Sequence, residues 1–351
     1  MFATLGGSMP TPPASPLDAD ALVRAAVATQ VEAGLEAISD GGVRHPDAAI
    51  AIGAGLSGVE VVGGRLRATA LPAWRRPILV DDWAFAAGCT DRAVKQAVVG
   101  PYTLARAVEA GRIRRGRLTI ALAEALNAEL KALVAAGCPL VEVIEDGATT
   151  IGDSPTSRRL FVEAQRRLLD GLDGAGGVHR TLAIRGGDAD TAGAETILDA
   201  PYQSFLFDLC AGPDNWRLAV KVPGDRGVIV GAADAQVTRV DELEVLAFAI
   251  GYAASTGGRG HDRVGLATSG DMAELSWDAA LAKIRRIGEA AALYDAPAGT
   301  LAQAMDPRAI DIRSAAMGRY APAPYDPASP RRVRETETAS ETVPGDDPAS
   351  S

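Results

Sequence analysis

The stretch LVEVIEDGATTIGDSPTSRRLFVEAQRRLLDGLDGAGGVHRTLAI, residues 140–184, decides the fold class. It opens with the short apolar run Leu140–Ile144, continues with an amphipathic segment over Pro155–Leu172, and closes with the apolar run Val178–Ile184. Apolar runs of this length indicate buried strands, and apolar residues at helical spacing indicate a helix packed on them. The stretch therefore predicts a strand, a helix and a second strand, the unit from which parallel sheets are built.

The same alternation extends in both directions along the chain. Together with the two strands above, the remaining apolar runs give eight predicted strands: Ala3–Leu5, Leu35–Ser39, Val98-Val99, Ser204–Leu209, Val228–Ala232 and Val264–Ala267. Near-continuous apolar strands are buried on both faces, so we predict an α/β protein with a single (β/α)8 TIM barrel. A doubly wound open sheet is the weaker alternative, because no GxGxxG motif opens a helix.

The segments between the strands complete the predicted architecture. Helices are expected over Leu17–Gly34, Asp81–Gln96, Leu118–Ala136, Glu242–Ala254 and Trp277–Tyr294. The run Val59–Leu71 alternates around Gly63-Gly64, which predicts a β-hairpin excursion after the second strand. From Pro322 onward the chain is rich in Pro, Ser, Thr and Glu, so we expect a barrel domain over residues 1–321 and a disordered tail over residues 322–351.

Composition limits the partners of the protein. The chain has 351 residues, 47% of them hydrophobic, and its 45 acids against 35 bases give a net charge of -10. Such a surface repels phosphate backbones, so nucleic acid is excluded as a partner. No apolar run is long enough for a membrane span, and the three cysteines are far apart, which favours a cytoplasmic location. A small-molecule substrate is the expected partner, and a homodimer is compatible with the composition.

Candidate functional residues follow from the rule that barrel enzymes work at the carboxyl ends of their strands. That position holds a set of polar residues: Ser8, Asp40, Arg44, Tyr102, Glu145, Asp146, His179, Arg180, Arg185, Asp208, Cys210, Asp234, Ser269 and Asp271. Any single acid among them is also explained as a helix N-cap. Asp208 and Asp234 stand out because each follows a fully apolar strand, where a carboxylate is costly to bury unless it is paired or used.

Two of these candidates need separate treatment. His179 lies inside the apolar run GVHRTLAI, where a hydrogen-bonded core histidine is the more common case and a pocket residue is the alternative. Ser8 follows two glycines, and its turn can hold an anion through backbone N–H groups. No HxH, HxC or HExxH motif supports a metal site on direct inspection.

Taken in order, several segments resemble one known family: TLGGSMP (4–10), GLEAISDGGVRHPD (34–47), VVGPYTLA (98–105), AAGCPLVEVIEDGA (135–148), VHRTLAI (178–184), QSFLFDL (203–209), VIVGAADAQ (228–236) and VGLATSGDMAELSWDAALAKIRRIGEAA (264–291). The chain resembles the catalytic barrel of cobalamin-independent methionine synthase, in the superfamily that includes uroporphyrinogen decarboxylase. The resemblance implies a (β/α)8 barrel that transfers a methyl group from a folate to a thiolate activated by zinc.

The resemblance also implies where the zinc ligands of the family fall. The family's His-x-Cys pair falls on Thr181 and Ala183, its Glu on Asp208, and its late Cys on Ser269. Thiolate and imidazole hold zinc far better than a methyl group or a neutral hydroxyl. The family resemblance therefore implies zinc as a cofactor, but the residues at the ligand positions disfavour it. We predict no metal ligands in this chain.

Other family positions are kept in part. Ser8 matches the serine that holds the amino-acid substrate, and Arg44 matches an arginine that follows a glutamate, here replaced by Gly42. The family's proton-donating histidine falls on Gln236, beside the retained Asp234. We predict one site with two groups of residues: catalytic Asp208, Asp234, Glu145, Asp146 and His179, and substrate-binding Ser8, Arg44, Tyr102 and Ser269.

Three functions remain open from the sequence. The first is a diverged methionine-synthase-like transferase that acts on a small thiol or amino-acid-like substrate and is not a genuine methionine synthase. The second is a metal-free lyase or decarboxylase of the uroporphyrinogen decarboxylase type, in which Arg44, Arg180 and Arg185 would form a cationic pocket. The third is a non-catalytic binding protein on the same barrel, because fold alone does not determine function.

Overall fold

The structure is a computed structural model that describes residues 1–13, 18–172 and 177–294. The described strands are, in chain order, β1 (Phe2–Thr4), β2 (Ala37–Ile38), β3 (Ser57–Val62), β4 (Arg65–Ala73), β5 (Ala93–Val99), β6 (Val108–Glu109), β7 (Leu140–Ile144), β8 (His179–Ile184), β9 (Ser204–Asp208), β10 (Gly227–Ala233) and β11 (Val264–Thr268). Eight of them close into a parallel barrel in the order β1-β2-β5-β7-β8-β9-β10-β11. The predicted (β/α)8 barrel is confirmed.

Helices cover the outside of the barrel: α1 (Ala19–Glu32), α2 (Ala48–Gly55), α3 (Val80–Ala87), α4 (Pro101–Ala107), α5 (Arg115–Ala135), α6 (Pro155–Leu169), α7 (Ala194–Ile197), α8 (Trp216–Ala219), α9 (Leu243–Ser255) and α10 (Trp277–Ala292). Several begin at a side chain that accepts a hydrogen bond from the first turn. Asp18, Asp47, Ser154 and Ser276 serve in this way for α1, α2, α6 and α10. None of the helices described is long and apolar enough to cross a membrane.

The inside of the barrel is a packed layer. Its small apolar cluster consists of Ile144, Ala183, Leu206, Ile229 and Ala267, with Phe2 and Ala97 packed against it. The strand register places the first four of these side by side around the barrel. A Cβ at Gly265 would lie 2.6 Å from Cζ of Phe2, so glycine leaves the space that the ring fills.

The predicted hairpin is also confirmed. Strands β3 and β4 pair antiparallel, and Gly63 and Gly64 between them both have positive φ, which suits glycine. Strand β6 then pairs parallel with β4 and makes a three-stranded sheet. This third strand, and helix α2 that precedes the hairpin, were not predicted from the sequence.

The helix predicted over Asp81–Gln96 is wrong beyond Ala87. Helix α3 ends there, and Ala93–Val99 forms β5 of the barrel. The polar pair Lys95-Gln96 hides this strand in the sequence. Lys95 is buried in the barrel, where its Nζ lies 2.7 Å from Oε2 of Glu142 on β7. A buried ion pair can therefore stand where the apolar pattern of a strand is expected.

Part of the predicted organisation falls outside the described residues. This applies to the tail over residues 322–351 and to the domain boundary at residue 321. Both remain predictions from composition.

Candidate functional site

The carboxyl ends of the barrel strands meet at one end of the barrel, which we call the mouth. Arg185, directly after β8, is the central cation there and is buried. Its Nη2 lies 2.8 Å from Oδ2 of Asp146, and its Nε donates to Oδ1 of the same residue at 3.1 Å. Its Nη1 donates at 3.0 Å to the carbonyl oxygen of Gly6 and to Oδ1 of Asp271. One guanidinium therefore links the loops after β1, β7, β8 and β11.

Ser8 belongs to the same network. Its backbone N–H donates to Oδ1 of Asp271 at 2.8 Å, and its Oγ donates to that oxygen at 3.2 Å. Burial alone would raise the pKa of Asp271, but the charge of Arg185 and the bonds from Ser8 outweigh it, so the pKa is lowered. Burial likewise opposes the charge on Arg185, and the carboxylates of Asp146 and Asp271 reverse this effect and raise its pKa. The charges of Asp271 and Arg185 therefore stabilise each other.

Asp208 ends β9 and is buried at the mouth. Its Oδ2 accepts from the backbone N–H of Gly186, and its Oδ1 accepts from those of Cys210 and Ala211, all at 2.9 Å. Desolvation outweighs these bonds and raises the pKa of Asp208. A raised pKa makes the carboxyl group of Asp208 a better proton acceptor than an ordinary aspartate.

Asp234 and Ser269 follow β10 and β11 at the same end of the barrel. Oδ1 of Asp234 accepts from the backbone N–H of Gln236 at 2.9 Å, and Oγ of Ser269 accepts from that of Ala235 at 3.0 Å. Beside them, burial together with the charges of nearby acids raises the pKa of the Cys210 thiol well above its usual value. Cys210 is therefore a protonated thiol and not a thiolate nucleophile.

Glu145 lies next to Asp146 in sequence but faces another way. It is fully buried under the start of α4, where it accepts from the backbone N–H groups of Tyr102 and Thr103 at 3.0 and 2.7 Å and from Nε2 of Gln165 at 2.5 Å. Burial raises the pKa of Glu145 to about 7, against these bonds. The structure thus uses Glu145 at the start of a helix, and it does not place the carboxylate in the mouth.

Tyr102 is likewise directed away from the mouth. Its ring packs edge-on against Phe161 of α6, with 5.5 Å between the centroids, and its hydroxyl accepts from Nη2 of Arg106 at 2.7 Å. The ring is almost completely buried. The expected substrate-binding role of Tyr102 therefore finds no support in its position.

Arg44 lies at the rim, between α1 and α3. Its guanidinium pairs with Asp20, lies 3.4 Å from Oδ1 of Asp82, and stacks on the ring of Phe85 at 4.8 Å from the centroid. The neighbouring His45 lies 2.8 Å from Asp82 as well. These partners belong to helices outside the barrel. Arg44 therefore does not lie beside Ser8, contrary to the sequence prediction.

His179 is at the opposite end of the barrel. It is the first residue of β8, and its Nε2 lies 2.8 Å from Oγ of Ser204, the first residue of β9. Burial lowers the pKa of His179, so the imidazole is neutral. The structure therefore separates His179 from the other predicted site residues.

The three arginines of the lyase hypothesis do not form one pocket. Arg44 is at the rim and Arg185 is paired with two aspartates in the mouth. Arg180 is near the start of β8, where its Nη1 donates to the carbonyl oxygen of Leu172 at 2.7 Å. Within the part of the chain that the structure describes, these three arginines do not form a cationic pocket for a polycarboxylate.

The residues at the family's zinc positions do not fit the metal. Thr181 shares a 2.8 Å hydrogen bond with Ser204, and Ala183 belongs to the apolar cluster inside the barrel. Asp208 is the one strong donor at these positions, and backbone N–H groups already bind both of its oxygens. Residues 1–13, 18–172 and 177–294 contain no group of three His, Cys, Asp or Glu residues arranged to hold a metal ion.

Comparison with known proteins supports the fold. No family model and no curated protein sequence matches the chain. Among solved structures, a B12-independent methionine synthase from Shewanella sp. W3-18-1 in complex with selenomethionine superposes with a TM-score of 0.74, at 18% identity, over 84% of this chain and 97% of that one. A methyltransferase from Methanosarcina mazei superposes with a TM-score of 0.58, at 14% identity, over 84% and 94%. The chain has the fold of B12-independent methionine synthases, as the resemblance implied.

Two residues of the mouth were not among the predicted catalytic and substrate-binding residues. Arg185 was assigned only to the cationic pocket of the lyase hypothesis, and Asp271 was a candidate only by its position after a strand. The available signal was the position of Arg185 directly behind the apolar run of β8, where an unpaired charge would be costly.

Proposed function

We propose that the protein is a diverged methionine-synthase-like transferase that acts on a small thiol or amino-acid-like substrate and is not a genuine methionine synthase. The observation that carries this proposal is the mouth, where carboxylate-binding donors of Ser8 and Arg185 lie beside the buried acid Asp208. The selenomethionine in the Shewanella protein of the same fold supports an amino-acid-like ligand.

Asp208 is the residue that we assign to proton transfer. A thiol is mostly protonated at neutral pH, so it must lose its proton before it attacks. Asp208, with its raised pKa, would accept the S–H proton while the sulfur forms a bond to the methyl carbon of an amine-type methyl donor. The bond between that carbon and the positively charged donor nitrogen would break, and the nitrogen would leave with the electron pair as a neutral amine.

Genuine methionine synthase activity is not expected. The family reaction uses a thiolate held by zinc, and Thr181, Ala183 and Ser269 lack the thiolate and imidazole donors that such a site uses. Zinc-dependent turnover of methylfolate with homocysteine at ordinary enzyme rates would contradict this part of the proposal.

The proposal is tested by methyl transfer to a panel of small thiols, with Asp208→Asn as the diagnostic variant. Asparagine keeps the shape and cannot take up the proton, so turnover is expected to fall about 10²-fold or more. Asp225→Asn, at an exposed position, is the matched control and is expected to keep full activity. Equal activity of the two variants would overturn the role of Asp208.

A non-catalytic binding protein is the second candidate. It is favoured by one observation, namely that the polar atoms of Asp208 and Arg185 are already hydrogen-bonded within the chain. Ligand binding at the mouth without turnover of any thiol in the panel would select this candidate.

A further inference from the structure

Three donors converge on one oxygen of Asp271. They are the backbone N–H and the hydroxyl of Ser8, at 2.8 and 3.2 Å, and Nη1 of Arg185, at 3.0 Å. They come from the loops after β1 and β8, whereas Asp271 comes from the loop after β11. A backbone amide, a hydroxyl and a guanidinium directed to one point are the donors with which proteins bind the carboxylate of a ligand.

The charges around Arg185 make Asp271 the exchangeable partner. Asp146 alone neutralises Arg185, and its two oxygens accept from Nε and Nη2 of the guanidinium. Asp271 is therefore a second negative charge on one cation, and its side chain is 53% exposed. Water screens such a pair, so the pair contributes little net stability.

The backbone at Asp271 is fixed by contacts with the loop after β1, whereas the Asp271 side chain is exposed. A Cβ at Gly7 would lie 2.5 Å from the backbone N of Asp271, and the N–H of Met272 donates to the carbonyl oxygen of Ser8 at 2.9 Å. The side chain of Asp271, in contrast, is on the exposed side of this loop. Its carboxylate can therefore leave Ser8 by rotation of the side chain while the backbone contacts of Gly7 and Met272 stay in place.

We propose that Ser8 and Arg185 form a binding site for the carboxylate of a small ligand, and that Asp271 is an internal competitor that occupies this site until the ligand displaces it. The proposal deepens the proposed function, on which it rests for the amino-acid-like class of ligand. It assigns the ligand's carboxylate to Ser8 and Arg185, and not to Ser8 and Arg44 as predicted from the sequence.

The test compares acetate binding to the full-length protein and to its Asp271→Ala variant by isothermal titration calorimetry. Removal of the competitor is expected to tighten acetate binding about tenfold or more. Glu274→Ala removes an exposed carboxylate from the same loop and controls for the general loss of one negative charge. Asp271→Asn, which keeps the side-chain shape, is expected to give an intermediate gain.

The outcomes separate this proposal from the proposed function. If Asp271→Ala and Asp271→Asn bind acetate no more tightly than Glu274→Ala does, the site is wrong, whatever the protein does to thiols. If the gain is seen and Ser8→Ala in the Asp271→Ala background reverses part of it, the site stands even when no thiol in the panel is methylated. That second result would overturn only the transferase reaction.

Discussion

Two arginines of this barrel each lie between two aspartates, and their surroundings differ completely. Arg185 stands at the end of a barrel strand and binds Asp146 and Asp271 from two other strand-end loops. Arg44 stands at the rim and binds Asp20 and Asp82, which belong to α1 and α3. The family resemblance pointed to Arg44, whereas the geometry assigns the mouth to Arg185.

The comparison shows that an arginine between two aspartates is not by itself evidence of a ligand site. The location of the aspartates, on outer helices or on strand-end loops, distinguishes the two cases. The partners of Arg44 are parts of helices on the outer layer, and its guanidinium covers the ring of Phe85. That arrangement connects α1 to α3. The partners of Arg185 are loops at strand ends, where the barrel fold positions ligands, and one of them is more than half exposed.

The largest expected effect is the loss of the mouth arginine. Arg185→Met leaves Asp146 and Asp271 without their cation at a site where Arg185 is only 9% exposed. We expect the free energy of unfolding, measured by urea denaturation, to fall by about 3–5 kcal/mol. Arg166→Met, which breaks a solvent-exposed pair with Asp199, is the control and should cost about 0–1 kcal/mol. Similar losses for both variants would mean that the mouth network is no more than a surface pair.

Glu145 is a buried carboxyl group that has no arginine partner among the described residues, and it can be compared with the paired aspartates of the mouth. The pKa of Glu145 is near 7 in the folded state against 4.5 as its usual value. The folded state therefore holds a proton that the unfolded state releases, so the free energy of unfolding should fall by about 3 kcal/mol as the pH rises from about 4.5 to about 7.

Denaturation at several pH values, with Glu145→Gln beside the wild type, measures this effect. The variant is expected to lose most of the slope, because glutamine does not titrate, and to keep the part contributed by Asp40 and Asp208, whose pKa values burial also raises. Asp271 has the opposite sign, since its lowered pKa gives a contribution that is present above its usual value of 3.8 and is lost as the pH falls. A slope that is unchanged in Glu145→Gln would exclude Glu145 as its source.

The rim arginine is expected to have a smaller effect. Arg44→Met keeps an apolar stem over Phe85 and removes the charge between two partly exposed aspartates. We expect a loss of about 1–2 kcal/mol in stability and no change in acetate binding. From the sequence, Arg44 was assigned to substrate binding, and a variant that loses ligand binding but keeps its stability would return Arg44 to the site.

The smallest effect concerns the opposite end of the barrel. His179→Gln alters one hydrogen bond to Ser204 and should cost about 1 kcal/mol. Ligand binding and turnover at the mouth should remain at the wild-type level. A variant of normal stability with lost turnover would show that His179 takes part in the reaction after all.

Most of the fold could be predicted from the sequence, because buried parallel strands leave a continuous apolar signature. Within the barrel the exception was the first part of β5, where the buried pair of Lys95 with Glu142 replaces that signature. Only the approach of two distant strands reveals such a pair, and a single sequence does not contain it.

The site was predicted less completely than the fold. Position after a strand correctly placed Ser8, Asp146 and Asp208 at the mouth. Position after a strand does not give the direction of a side chain. Glu145 and Tyr102 were therefore assigned to the mouth, although the Glu145 carboxylate binds the start of α4 and the Tyr102 ring packs against Phe161. The resemblance pointed to Arg44, whose guanidinium pairs with aspartates of α1 and α3 and makes no contact with Ser8 among the described residues.

The most direct test is whether the purified protein holds zinc. The protein is dialysed first against buffer that contains zinc and then against zinc-free buffer, and its zinc content is measured by mass spectrometry. The barrel has the fold of methionine synthases, and the positions that the resemblance gives to the zinc ligands hold Thr181, Ala183, Asp208 and Ser269. We expect far less than one equivalent of zinc per chain, with the same value in Asp208→Ala. One tightly held equivalent in the wild type that disappears in Asp208→Ala would contradict this expectation.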